Sequence, residues 1–229
     1  MPDSTNADFP TLLESAVKFA KAAGADAADA VIGRNLSLSV GERLGKLEKL
    51  QRSEDQDLGL RVFIGKKQAI VSTSDFTRAA VEELANRAVA KAKAVPEDPF
   101  CGLADASEIA KAPLKLDIVD SREPSEAELT ALVRAAEAAA RAVPGVTNSQ
   151  GAEAGWGRTE VAMMASNGFY GGYAQTHSGL SVAVVAGEGT GMETDYDYSS
   201  TVYFSDLTDP EKLGRSAGER AVRRLNPRK

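Results

Sequence analysis

Histidine, cysteine and tryptophan each occur only once in this chain of 229 residues, as His177, Cys101 and Trp156. A single cysteine excludes an intrachain disulfide and suits a reducing compartment. Zinc needs several nitrogen or sulfur ligands, and the sequence contains neither an HExxH motif nor paired cysteines. We therefore interpret His177 as a residue on a strand surface or in a hydrogen bond. Cys101 has no basic neighbour in the sequence and is interpreted as an inert thiol.

Long apolar runs and blocks of basic residues are absent as well. No apolar run approaches the ~20 residues that span a membrane. The N-terminal MPDSTNADFP has no basic region followed by an apolar one, so no signal peptide is expected. The formal net charge is −6, and without a stripe of Lys and Arg direct binding of nucleic acid is disfavoured. The expectation is a soluble cytoplasmic protein that does not contact a membrane.

Hydrophobic residues make up 43% of the chain, enough for a sizeable core without disulfides. The rest of the chain is organised around the stretch Gly59–Asp75. Its first half alternates as a strand with one buried face does, with Leu60, Val62 and Ile64 in phase. Gly65 can supply the positive φ of a tight turn. We predict a β-hairpin that leads into a helix starting near Thr77.

Four segments have the apolar periodicity of helices. The first is predicted at about 9–23 and the second at about 77–94. The third starts at Ser125, where Glu128 completes a capping box. The fourth starts at Asp209, a cap that is followed by Pro210.

Strand patterns lie between the first two helices and again between the last two. The predicted order is therefore helix, strands, helix, connector, helix, strands, helix, which indicates a duplicated helix–strands–helix unit. Since strands pair mostly with their sequence neighbours, the fold class is α+β, with antiparallel sheets and flanking helices. The units are predicted at 1–95 and 125–229, joined by a proline-rich connector at 96–124.

Three details of the strand blocks are also predicted. A polar strand, KLEKLQRSED, precedes the strand at Gly59 and is expected near a sheet edge. Turns are expected at Gly41–Gly45 and Gly155–Arg158. The pair Asn167-Gly168 predicts a hairpin.

Three carboxylates, Glu193, Asp195 and Asp197, alternate along one predicted strand and so share a face. They could bind a divalent cation or a cationic partner. A solvated face is the favoured interpretation, since like charges in water cost little. Tyr196 and Tyr198 are expected to be half-buried on the other face.

Two features are candidate contacts with a peptide or a partner chain. The segment NGFYGGY could receive a peptide through Asn167, Phe169 and Tyr173, although a turn with close backbone approach is favoured. Trp156, between two glycines, is either an exposed loop anchor for a partner or a cover for the end of the sheet. The glycine-rich Gly187–Gly191 lacks the lysine of a phosphate loop and leads into a strand, so a turn is expected.

An ordered set of short motifs resembles the TldD/PmbA family, and its order and spacing resemble the PmbA (TldE) branch. The motifs cover nearly the whole chain, and the set is more specific than any one member. They are GLRVF at 59–63 followed by Gly65, STSD at 72–75, PEDP at 96–99, TNS at 147–149, SNGF at 166–169 and DYSS at 197–200.

The resemblance implies properties that the residues themselves do not show. Members of the family are cytosolic, are roughly twice as long as this chain, and carry the older name modulator of DNA gyrase. TldD-like and TldE-like subunits pair into a zinc metalloprotease that processes unfolded peptides, in which metal-activated water attacks the peptide carbonyl. The zinc ligands, an HExxxH helix and a later cysteine, lie in the TldD subunit. No such position carries over here, so no catalytic, cofactor or metal residue is assigned.

The resemblance therefore implies the N-terminal part of a PmbA/TldE-like subunit, a noncatalytic scaffold that guides an unfolded peptide. Its partner is expected to be a TldD-like subunit holding the zinc, or a second copy in a homodimer. Extended substrate could add to a free strand edge. Two alternatives remain open: a stand-alone peptide- or protein-binding module without protease role, and a catalytic subunit whose active half is missing.

Overall fold

The computed structural model describes residues 8–105, 107–110, 112 and 115–227. The N-terminal residues used for the signal-peptide prediction lie mostly outside these ranges. The helices are α1 (Phe9–Ala22), α2 (Arg78–Ala94), α3 (Glu126–Arg141) and α4 (Pro210–Arg223). The strands are β1 (Ala27–Arg43), β2 (Lys46–Ile64), β3 (Lys67–Thr73), β4 (Val146–Ala165), β5 (Tyr170–Ala186) and β6 (Glu193–Thr201).

The six strands form one antiparallel sheet in the order β3-β2-β1-β4-β5-β6. The α+β class and the element order are confirmed. We call α1-β1-β2-β3-α2 repeat 1 and α3-β4-β5-β6-α4 repeat 2. The strands of both repeats join a single sheet, because β1 and β4, the first strand of each repeat, are neighbours.

Several strands are longer than predicted. β2 runs unbroken through Lys46–Ile64, so the polar segment and the strand at Gly59 are one element. β4 continues through Gly155–Arg158, and the predicted turn there is wrong. Two glycines in a short window suggested a turn, but at both the backbone stays out of the positive-φ region. Pairing with β1 and β5 on either side holds this segment extended.

The hairpin turns differ in their chemistry. In the β2–β3 hairpin Ile64 pairs with Lys67, and Gly65 has a φ of 55°, as predicted. In the β1–β2 hairpin Leu44 has a φ of 53° and Gly45 a φ of 74°. Leucine rarely adopts this conformation, so the turn carries local strain.

The predicted caps are confirmed at the starts of α3 and α4. Ser125 and Glu128 form the reciprocal capping box of α3. Asp209 accepts a hydrogen bond from the Lys212 amide at the start of α4. At α2 the cap is Thr77, which accepts from the Ala80 amide.

Two compact units make up the chain. Unit 1 comprises Met1–Arg34, Asp55–Leu116 and Thr159–Ala174; unit 2 comprises Asn35–Glu54, Asp117–Arg158 and Gln175–Lys229. Long strands such as β1 contribute residues to both, so neither unit is continuous in sequence. The division at 1–95, 96–124 and 125–229 stays a prediction.

Each unit has its own apolar core. In unit 1, α1 and α2 bury residues such as Leu13 and Leu84 against Ile32, Leu60 and Val62 of the strands. In unit 2, α3 and α4 pack against the strands and form a second core. Its fully buried residues include Val40, Leu129, Val133, Ala154, Val184 and Ala217. Among the residues that the structure describes, no helix is both long and apolar enough to cross a membrane.

Candidate functional site

Unit 2 has a shallow groove of about 420 Å³ on the sheet face opposite its core. Strand alternation produces this face, because Leu180 and Val182 point into the core while Ser181, paired with Tyr198, points away. Small residues leave the space. The groove is lined mainly by Ser37, Ser39, Glu153, Gly155, Trp156, Gly157, His177, Gly179, Ser181, Tyr198 and Ser200.

The groove offers a contact surface of backbone and aromatic groups. Its glycine and serine floor leaves backbone accessible at Gly155, Gly157 and Gly179. Tyr198 is 63% exposed at one side. His177 is exposed, in agreement with the strand-surface interpretation of this residue. Such a surface can contact an extended chain through its backbone and an aromatic ring.

Trp156 lies inside β4 and is only 4% exposed, so the exposed-loop interpretation is wrong. The residue belongs to a central strand, where neighbours on both sides enclose it. Its indole Nε1–H finds no acceptor within the described ranges. Trp156 also contributes to the groove lining. A contact with a partner stays a prediction for this residue.

The segment Asn167–Tyr173 forms the β4–β5 turn and the start of β5. The Asn167 side-chain amide donates to the Ala104 carbonyl at 2.9 Å. A Cβ added at Gly171 would lie 2.9 Å from the ring of Phe169, and one at Gly172 would lie 2.7 Å from the Val161 carbonyl oxygen. The glycines thus allow close approach, as the favoured interpretation requires.

The three candidate contacts in this segment are exposed to different degrees. Phe169 is half-buried, as is Asn167. Tyr173 is 52% exposed and remains available. Peptide or partner contact through Asn167, Phe169 and Tyr173 stays a prediction.

The acidic strand has arginine partners that its own sequence does not reveal. Arg220 of α4 lies 3.1 Å from Asp197, and Arg224 lies 3.3 Å from Asp195 and 3.7 Å from Glu193. The pKa of Asp195 lies below its usual value, chiefly because the carboxylate accepts the Tyr196 amide, and Arg224 adds to this. The carboxylates therefore serve an intrachain network.

The tyrosines of the same strand are more exposed than predicted. Tyr196 is 57% and Tyr198 63% exposed, so the half-buried interpretation is wrong. Their rings stack with centroids 6.3 Å apart. β6 is the last strand of the sheet, and the second neighbour that would cover these rings is missing from the described strand order.

Unit 1 contains a buried ion pair beside the single cysteine. Asp29, 6% exposed, receives hydrogen bonds from Arg61, with Nε 3.1 Å from both carboxylate oxygens. Asp29 raises the pKa of Arg61 above its usual value, and Cys101 contributes further. Cys101 therefore has a basic neighbour in space. The sequence contains no signal for this, because Arg61 and Cys101 are 40 positions apart.

A further polar cluster lies just after β6, and no sequence pattern predicted it. The Tyr203 hydroxyl donates to Asp117, which raises the pKa of this tyrosine. Asp120 accepts the amides of Arg122 and Phe204, and these bonds lower its pKa. The cluster ties the end of the connector to unit 2.

The described residues offer few donors for the metal that the resemblance implies. In the described parts of the chain, no group of three or more His, Cys, Asp or Glu side chains is placed to hold a metal ion. The groove combines His177 with Glu153, fewer donors than a zinc ion needs. These residues do not fit a zinc site.

Two family models match the chain in order. Residues 28–92 match domain 1 of the PmbA/TldA metallopeptidases, and residues 119–225 match their central domain. Metalloprotease PmbA of Escherichia coli O157:H7 is 32% identical over 222 residues, which are 95% of this chain and 49% of that protein. The chain thus spans about half the length of the curated relatives it matches.

Solved structures share the fold. A protein from Bacteroides thetaiotaomicron named as a modulator of DNA gyrase superposes with a TM-score of 0.90 at 23% identity, over 97% of this chain and 52% of that one. TldE from Thermococcus kodakarensis gives a TM-score of 0.72 at 15% identity, over 93% of this chain and 47% of that one.

Proposed function

Because this chain belongs to the PmbA/TldD metallopeptidase family, we propose that it is the N-terminal part of a PmbA/TldE-like subunit of a zinc metalloprotease that processes unfolded peptides. In this role the chain is a noncatalytic scaffold that guides the peptide in the cytoplasm. A TldD-like subunit is its partner and holds the zinc. The observation that carries the proposal is the ordered match to domain 1 and the central domain of the family.

The family matches also support the predicted division of the chain. The two models fall on 28–92 and 119–225, close to the units at 1–95 and 125–229. We propose these as the two evolutionary units, with 96–124 as their connector.

The groove of unit 2 supports the peptide-guiding part of the proposal. An unfolded peptide presents backbone and mixed side chains rather than one fixed ligand group. A floor of glycine and serine beside an exposed tyrosine can accept such a chain with little selectivity.

Reconstitution with a TldD-like subunit from the same genome tests the subunit role. We expect the two chains to co-purify, and cleavage of an unfolded peptide to be faster with this chain present. Equal cleavage in its absence contradicts the subunit role. Peptide cleavage by this chain alone contradicts the noncatalytic role. A stable peptide complex with no binding of the TldD-like subunit indicates the stand-alone module.

A pair of tyrosines tests the predicted contacts. Tyr173 and Tyr170 lie on β5 and are 52% and 51% exposed, so their truncations remove similar surface. If Tyr173 contacts peptide or partner, Tyr173→Ala weakens complex formation several-fold and Tyr170→Ala does not. Equal effects of both variants contradict a specific contact at Tyr173.

A further inference from the structure

The outer edge of β6 has its backbone groups occupied by side chains. In the β5–β6 ladder, Asp195 pairs with Val184 and Asp197 with Val182. The intervening amides turn away from β5 and bind neighbouring carboxylates. The Tyr196 amide donates to Asp195 at 2.8 Å, and the Tyr198 amide donates to Asp197 at 2.9 Å.

Arginines in and directly after helix α4 bind the same edge and its aspartates. Arg220 donates to the Tyr196 carbonyl oxygen at 3.0 Å and lies 3.1 Å from Asp197. Arg224 holds Asp195 at 3.3 Å. Two outward donors and one outward acceptor of the edge are therefore engaged by three side chains of the same unit, Asp195, Asp197 and Arg220.

An exposed edge strand ordinarily presents free amides and carbonyls that another strand can pair with. Here a strand that approached β6 would have to displace Asp195, Asp197 and Arg220 from the backbone. The conjecture that an extended substrate adds to a free edge therefore does not fit β6 in this conformation.

The same edge is complementary to itself. About a two-fold axis near Asp197, antiparallel pairing places Tyr196 opposite Tyr198 of the second copy, where their outward amides and carbonyls can exchange hydrogen bonds. The stacked, exposed rings of each copy then continue into one aromatic row. The same axis places Asp197 opposite its counterpart, and these like charges oppose the pairing.

We propose that the outer edge of β6 is a strand-pairing surface kept closed by Asp195, Asp197 and Arg220, and that the partner it fits once opened is β6 of a second copy. The aspartates act twice, since they occupy the amides and repel the same edge of another molecule. This property is independent of the proposed protease role.

Two double variants separate these two actions. Asp195→Ala with Asp197→Ala removes both the amide acceptors and the charge. Asp195→Asn with Asp197→Asn removes the charge but keeps an oxygen that can accept the amide. In sedimentation of the 229-residue chain, we expect the alanine variant to self-associate at least tenfold more tightly than the parent chain. The asparagine variant is expected to lie between them.

Glu82→Ala with Glu83→Ala is the matched control, because it makes the same change in charge at exposed positions of α2. We expect its self-association to equal that of the parent chain. If it matches the alanine variant of β6, net charge explains the effect and the proposal is wrong.

Amide hydrogen exchange at Tyr196 and Tyr198 locates the surface. At low concentration we expect exchange at these amides to be about tenfold faster in the alanine variant than in the parent chain. Raising the concentration restores protection if β6 pairs with β6. Unchanged exchange, or association without renewed protection at these two amides, overturns the proposal. Pairing with an added unfolded peptide in place of a second copy overturns the assigned partner.

The parent chain provides a test that does not depend on the folding of any variant. Its Tyr196 and Tyr198 amides are expected to be protected to the same extent at every concentration. Protection that appears only at high concentration would mean that the edge is open in the unaltered chain.

Discussion

The two repeats share one order of elements but join their helices by different means. In repeat 1, Arg78 of α2 lies 5.4 Å from the ring centre of Phe19 in α1, so long side chains contribute to the contact between these helices. In repeat 2, a Cβ at Gly214 of α4 would lie 2.1 Å from the Ala136 carbonyl oxygen of α3. The helices of repeat 2 therefore approach backbone to backbone.

The outer strands of the two repeats also differ, in the side chains that bind their edge backbone groups. At β3 the carbonyls of Ile70 and Ser72 accept from Lys91 and Arg87, two basic side chains of α2. At β6 the strand's own aspartates bind the amides and an arginine binds a carbonyl. One arrangement of elements is therefore stabilised in the two repeats by unrelated local interactions.

Gly214→Ala should have the largest effect, because the added methyl overlaps backbone that cannot move without separating α3 from α4. We expect a loss of about 3 kcal/mol or more in the free energy of unfolding, measured with urea. Without the clash, alanine would stabilise the helix by about 1 kcal/mol relative to glycine. The sign of the change in the free energy of unfolding therefore shows whether the clash is present.

Gly33→Ala is the control for this substitution. Gly33 lies in β1 and has nothing within 4 Å of the added Cβ, so we expect a change below about 1 kcal/mol. A neutral or stabilising Gly214→Ala would mean that α3 and α4 are not closely packed, and the contrast between the repeats would disappear.

Two buried carboxylates on β1 provide the second test. Asp29 is 6% and Glu42 2% exposed, and each is held by one arginine, Arg61 and Arg134. Arg61→Ala should cost about 3 kcal/mol, because it leaves a buried charge unpaired. Arg134→Ala should cost less although Glu42 is also buried, because the Arg134 side chain is 64% exposed and water that takes its place can solvate the carboxylate.

Thermal unfolding of both variants measures this difference. Arg61→Lys is expected to fall between Arg61→Ala and the parent chain, because lysine retains the charge but cannot form the paired hydrogen bonds. Equal losses for Arg61→Ala and Arg134→Ala would contradict the role assigned to burial.

The hairpin turns allow a stabilising prediction. The β4–β5 turn of repeat 2 has Asn167-Gly168, whereas the β1–β2 turn of repeat 1 has Leu44, at a φ of 53°, followed by Gly45. Leu44→Asn should raise the free energy of unfolding by about 1 kcal/mol, since asparagine tolerates this conformation. Leu47→Asn, at a similarly exposed strand position, is expected to show no gain. Loss of stability in Leu44→Asn would contradict strain in this turn.

The smallest expected effect on stability comes from the start of α3, and it depends on pH. The pKa of Glu128 is lowered from 4.5 to about 2, first by the Ser125 amide and then by Arg122. A lowered pKa in the folded state means that the ionised carboxylate stabilises α3. This contribution is complete above about pH 4.5 and is lost as the pH falls to about 2.

Unfolding measured from pH 7 to pH 2 checks this. The parent chain should be more stable than Glu128→Gln at neutral pH, and the two should converge near pH 2. Glu126→Gln, in the same turn but outside the capping box, should follow the parent more closely. A constant difference across the range would contradict the link to ionisation. At α2 the cap is the neutral Thr77, and the ionisable group of that helix start is Asp75, which accepts the Thr77 amide and whose pKa is lowered by this bond.

Local chemistry accounts for what was predictable. The cap at Ser125, the turn at Gly65 and the stripe of α1 each depend on residues within a few positions, and all three are confirmed. The burial of Trp156 could not be predicted, because it depends on strands that are distant in the sequence. The two flanking glycines suggested a loop, while burial in a central strand comes from β1 and β5, which no local pattern reveals.

The sequence by itself determined the order of helices and strands and where the helices start, because caps, turns and periodicity act over a few residues. Only the tertiary structure decided that the strands form one sheet, that Arg220 and Arg224 bind the carboxylates of β6, and that Arg61 pairs with Asp29. These contacts join residues that are tens of positions apart. Their partners are chosen by pairing and packing of whole elements, which short-range patterns do not encode.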